Sequence, residues 1–139
     1  MQTTWRTNAL TDRSAILAYL ETDRLYAPGD VIYLTFDDGP TGPRWTPQVL
    51  EVLARYDARA TFFVLGQQAK RFPDLIEAEV EAGHSVVNHT FDHHTLDGIS
   101  RRAFFEEVQD TEAILGDLTT RYLRPPYGAT DAYDPGPCN

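Results

Sequence analysis

Leu34-Thr35-Phe36-Asp37-Asp38-Gly39-Pro40 is the stretch from which the fold can be read. An apolar run beginning at Val31 leads into its acidic turn. Farther along, strand-like Ser85-Val86-Val87 leads into His89-Thr90-Phe91-Asp92-His93 in the same way. In α/β proteins, ligands and reacting groups gather just past the carboxyl ends of parallel strands. Two polar clusters, each closing an expected strand, therefore predict an α/β sheet with a site at one end. One or two carboxylates and two imidazoles suffice to hold a divalent metal with an open coordination position.

Outward from these stretches the pattern alternates. Residues 31–36 read as a buried strand. Thr46-Pro47 reads as a helix N-cap followed by proline at the first helical position, and Val49, Leu53 and Tyr56 then recur at helical spacing. Residues 60–65 are β-branched and aromatic and form the second expected strand. Residues 73–82 form the second helix, stopped by Gly83, and residues 85–88 the third strand. Ser100 caps a third helix with Phe104, Val108 and Leu115 facing inward and Gly116 near its end. Residues 121–124 are a short fourth strand, stopped by Pro125-Pro126. The order β-α-β-α-β-α-β implies parallel pairing and right-handed crossovers. Four strands are about half of an eight-stranded (β/α)-barrel, whose length is typically ~250 residues. After Tyr127 no further strand or helix is read. Residues 1–29 read as a polar N-terminal leader, with a short helix at 14–20, and residues 30–139 as the domain.

The bulk numbers agree with one domain. The chain has 139 residues, 42% of them hydrophobic, and a formal charge of −9 from 12 basic and 21 acidic side chains. That balance argues against nucleic acid or an anionic membrane surface as the partner. Cys138 is the only cysteine, so no intrachain disulfide forms. No apolar run is long enough to span a membrane, and no signal peptide is visible.

Asp37 and Asp38 are adjacent, so on an extended strand end they point in different directions. One can bind a metal while the other faces an attacking water; a turn or helix-capping pair is the alternative. His89 and His93 have the H-x3-H spacing, which on a helical turn sets both imidazoles on one face. His94 competes as a ligand with poorer spacing. His84 precedes its strand and belongs to the opposite end of the sheet. In Arg124-Pro125-Pro126-Tyr127, the prolines stiffen the loop and leave the Tyr127 amide to point at a ligand. Arg124 is placed to pair with a carboxylate at the same end.

Thr-Phe-Asp-Asp-Gly-Pro at 35–40, His-Thr-Phe-Asp-His at 89–93 continuing to Leu96, and Arg-Pro-Pro-Tyr-Gly at 124–128 appear in this order, each after an expected strand. Together they resemble the polysaccharide deacetylase family, the NodB-homology group of carbohydrate esterase family 4. The resemblance implies a (β/α)-barrel of that type, with about the first half to two-thirds present. It implies Asp37 as general base, Asp38, His89 and His93 as metal ligands, Arg124 as the residue orienting the base, and Tyr127 as an oxyanion-hole amide. It further implies a divalent metal, with zinc the default and cobalt or another first-row ion the alternative. The substrates implied are N-acetylated sugars of chitin oligomers or peptidoglycan, with O-acetyl xylan as a second class, at the cell envelope or outside the cell. The family's later motifs, including the histidine that serves as general acid, have no match in residues 128–139. A chain truncated at its C-terminus is therefore expected, either active or a metal- and glycan-binding fragment. Such an open half-barrel is expected to self-associate through exposed strand edges.

Overall fold

The structure, a computed structural model, describes residues 32–128. The expected leader and its helix, Val31, Cys138 and the tail beyond Gly128 lie outside the described residues. The described strands are β1 (Leu34–Gly39), β2 (Ala60–Val64), β3 (Ser85–Asn88) and β4 (Thr119–Leu123). Their connections carry α1 (Gly42–Arg55), then α2 (Gly66–Arg71) with α3 (Pro73–Glu81), then α4 (Arg101–Leu115). The sheet order is β1-β2-β3-β4 and every pairing is parallel. Parallel neighbours need a crossover between them, and each crossover here is helical. The α/β architecture expected from the sequence is thus the one observed.

Alternation along β2 shows how the core is made. Ala60, Phe62 and Val64 are buried, while Thr61 and Phe63 between them are half-buried on the other face. The buried set joins Val86 of β3, Leu53 of α1, Ala69 of α2, Ile76 of α3 and Leu115 of α4 in one cluster. Phe36 stacks on Phe62 at 5.2 Å between ring centroids. Burying side chains of this size stabilises by roughly 1.5–3 kcal/mol each. The helical layer is therefore fastened to one face of the sheet.

Four details differ from the sequence reading. The first strand begins at Leu34 and is not buried: Leu34 is 42% exposed. It lies at an edge with β2 as its one neighbour among the described strands, so an apolar run alone misjudged its surroundings. Helix α1 starts at Gly42, four residues before Thr46, with Thr41 at the N-cap and Pro47 inside the helix. Proline inside a helix removes an N–H and crowds the preceding turn. Here the Thr46 N–H reaches the Thr41 carbonyl at 3.4 Å and the Thr46 hydroxyl accepts the Thr41 N–H at 2.9 Å, so a widened first turn accommodates it. Helix α2 was not expected, because it is six residues long and Gly66 and Ala69 are its buried members. Strand β4 begins at Thr119 and ends before Arg124. Helix α4 matches closely: the Ser100 hydroxyl accepts the Ala103 N–H at 3.2 Å, as a capping serine should.

Candidate metal centre and its pocket

Three strands deliver the site at their carboxyl ends. Asp37 and Asp38 lie in the last turnings of β1, His89 follows β3, and Arg124 follows β4. In a regular strand two adjacent aspartates face opposite ways. Here the register slips between Asp37 and Gly39, and Asp38 has φ 67°. A bulge of this kind re-aims a side chain. Both carboxylates consequently line one open cavity of about 460 Å³, with His89, His93, Arg124 and Tyr127.

Asp38 Oδ1 stands 3.1 Å from His93 Nε2 and 3.4 Å from His89 Nε2. His89 is buried. Its Nδ1 lies 2.7 Å from the Arg124 carbonyl oxygen. A carbonyl only accepts, so Nδ1 carries the proton and Nε2 presents its lone pair to Asp38. Two acceptors face one another across this gap, which calls for a proton or a cation between them. A ligating imidazole tied to a carbonyl through its other nitrogen is the usual support of a metal site. The three donor atoms lie within 4.8 Å of one another. Two nitrogens and one carboxylate oxygen suit a first-row divalent ion with positions left open. The residues present therefore fit such a metal.

The histidine pair is not on a helical turn, contrary to the spacing argument. Residues 89–94 form a loop, with Thr90 at φ 72° and His93 at φ 68°. The amides that a helix would use internally are taken by side chains. Asn88 Oδ1 accepts the Thr90 N–H at 2.8 Å while Asn88 Nδ2 donates to the Val108 carbonyl at 3.0 Å. Glu107 Oε2 accepts the Phe91 N–H at 2.9 Å and the Asp92 N–H at 3.3 Å. Burial pushes the Glu107 carboxyl above the usual range, against the pull of these amides. The Gly66 and Gln67 amides bind the Thr90 and Phe91 carbonyls, each at 2.9 Å. Gly66 has no room for a side chain: a Cβ there would stand 2.5 Å from Thr111 Oγ1. Sequence reasoning missed these supports. Nothing marks Glu107 among the acids of α4, and Asn88 stood out only as a strand end.

Arg124 reaches Asp37, donating from Nη1 to Asp37 Oδ1 at 2.7 Å and to Thr35 Oγ1 at 3.1 Å. The Tyr127 ring meets His93 edge-on at 4.7 Å, and Tyr127 has φ 59°. His94 turns away: its Nδ1 is 2.6 Å from Asp92 Oδ1 and its side chain is 76% exposed. His84 lies before β3, at the other end of the sheet, packed against Phe62. The geometry thus brings together all six residues singled out from the sequence: Asp37, Asp38, His89, His93, Arg124 and Tyr127.

Known proteins are similar to this chain in sequence and in fold. A sequence model of the polysaccharide deacetylase family matches residues 25–134. A chitooligosaccharide deacetylase of Sinorhizobium fredii is 44% identical over 101 residues, covering 70% of this chain and 46% of the relative. A peptidoglycan-N-acetylglucosamine deacetylase of Bacillus cereus is 37% identical over 100 residues, covering 70% and 36%. A family 4 carbohydrate esterase from Streptomyces lividans, solved with acetate, superposes with a TM-score of 0.69 at 37% identity. That match covers 76% of this chain and 56% of the esterase. The chain spans under half the length of the two curated relatives.

Proposed function

The chain belongs to the polysaccharide deacetylase family, and from that premise we propose a metal-dependent hydrolase that removes acetyl groups from N-acetylated sugars of a polysaccharide. The observation that carries the reading is the Asp38–His89–His93 donor set beside an Asp37 held by Arg124. In this reading Asp38, His89 and His93 hold the metal. When bound, the metal supplies Lewis acidity, lowering the pKa of water and polarising a carbonyl. Zinc is our assignment for this donor set, with cobalt or another first-row ion as the alternative.

The chain's own groups do the rest. Asp37 takes the proton of the attacking water, with Arg124 fixing the direction of its carboxylate. The Tyr127 N–H donates to the acetyl oxygen as negative charge grows there. Chitin oligomers or peptidoglycan are the proposed substrates, supported by the names of the two relatives. The cell envelope or the outside of the cell is the corresponding setting. No described helix is long and apolar enough to cross a membrane. We take residues 30–139 as the domain and 1–29 as its leader.

A second reading, metal and glycan binding without turnover, draws on one observation. Beyond the two ligands, the chain's other histidines are His84 at the far end of the sheet and His94 turned to Asp92. Neither is placed to protonate a leaving amine. Acetate release from N-acetylglucosamine oligomers by the zinc-loaded chain separates the readings, with Asp37→Ala as control. The deacetylase reading expects acetate above that control. Equal and negligible release, with zinc still bound, would leave the binding reading standing.

A further inference from the structure

Arg124 has to cross the sheet to reach Asp37. Its backbone is held at the far side, where its amide N–H donates to the Asn88 carbonyl at the end of β3. Thr35 and Asp37 lie on β1, with β3 and β2 between. Neighbouring strands are about 4.8 Å apart, so the side chain must lie across the strand ends between them. Phe63 stands on β2, the strand next to β1. It is the register partner of Asp37 on one side and of Val87 on the other. The Arg124 Cζ lies 3.5 Å from the centroid of its ring.

The rest of the ring's surroundings point the same way. Phe63 faces away from the core that Phe62 and Val64 enter, and it takes no part in that cluster. A large aromatic on this face is therefore not explained by packing with the helices. The negative face of an aromatic ring attracts a guanidinium, and the planar group also stacks on it. A long arginine otherwise has many rotamers to choose from, and each ordered one costs entropy. A ring beneath the guanidinium removes that freedom where Nη1 must meet both Thr35 and Asp37.

We propose that Phe63 is a positioning residue for the Arg124–Asp37 pair: its ring is the platform that carries the guanidinium across β2. The part Asp37 plays rests on the deacetylase reading above; the platform does not.

The test uses the full chain loaded with zinc and labelled with ¹⁵N-arginine. Parent, Phe63→Leu and Phe63→Tyr are compared, with pentafluorophenylalanine at position 63 as a variant that keeps the ring's size and reverses its polarity. The first readout is the Arg124 Nε–Hε resonance, identified by its loss in Arg124→Lys. The platform displaces it upfield in the parent and in Phe63→Tyr, and it returns to the ordinary arginine position in Phe63→Leu. The second readout is acetate release. Phe63→Leu and the fluorinated variant are expected to lower kcat about tenfold, the size of one such contact, with KM and zinc affinity unchanged, and Phe63→Tyr to restore it. Zinc affinity is read because the same ring meets His89 edge-on at 6.4 Å. An unmoved Arg124 resonance in Phe63→Leu, an unchanged kcat, or lost zinc affinity would each overturn the proposal. A parent that binds zinc but releases no acetate would overturn the deacetylase reading instead, and the resonance then decides the platform.

Discussion

At φ 67° the backbone of Asp38 occupies a region that costs a non-glycine residue on the order of 1–3 kcal/mol. Thr90, His93 and Tyr127 share it. All four lie in or beside the pocket, where surrounding contacts hold them. The best defined of those contacts belong to Asn88, which is fully buried and satisfied through its carbonyl and its amide. Replacing it by alanine strands the buried Thr90 N–H, whereas the Val108 carbonyl, inside α4, keeps its helical partner. Such a loss costs about 1–3 kcal/mol. Asn88→Ala should therefore lower unfolding stability by about 1–3 kcal/mol and weaken zinc binding, read by urea unfolding and zinc titration. An unchanged zinc affinity would show that the loop holds its shape without Asn88. The identities of the candidate ligands were legible because aspartate and histidine at strand ends announce themselves by chemistry. Their backbone conformations were not, since none of the four is a glycine, the residue that adopts left-handed turns most readily.

Among the elements, α4 and α3 play different parts. Helix α4 braces the histidine loop through Glu107 and Val108, so a connection between strands becomes part of the site. Helix α3 buries Glu79 completely, and both its carboxylate oxygens are without a partner among the described residues. Burial pushes its pKa from 4.5 to about 8. The folded state thus holds this proton more tightly than the unfolded chain does. Linkage then fixes the sign: stability from this group is fully present below the unfolded value of 4.5 and is lost as pH rises through about 8. The parent should lose on the order of a few kcal/mol across that window, and Glu79→Gln should flatten the slope. Urea unfolding at pH 5 and pH 8 measures both; equal slopes in the two proteins would rule Glu79 out as the source. The helix itself was legible from Pro73 and Gly83, but not the burial of Glu79, because spacing shows which face turns inward and not what an acid finds there. Helix α2 was illegible for another reason: too few residues repeat for a period to appear.

For the whole molecule, the order of elements could be read because β and α patterns alternate along the chain, and that order specifies a parallel sheet. What lies beyond the sheet's edges could not. Strands β1 and β4 are the two edges among the described strands, and Leu34 and Tyr122 are 42% and 75% exposed there. Open, apolar strand edges pair with other chains. We expect sedimentation velocity to show mass-dependent association at high protein concentration, reduced by a lysine at Tyr122; a monomer at every concentration would contradict this. The central claim remains the metal centre. Its most direct test is zinc titration of the full chain, with bound metal counted after dialysis. One zinc per chain, lost in His93→Ala and kept in Asp37→Ala, is the result the geometry predicts. A chain that binds no zinc, or that keeps it when His93 is removed, would contradict the account.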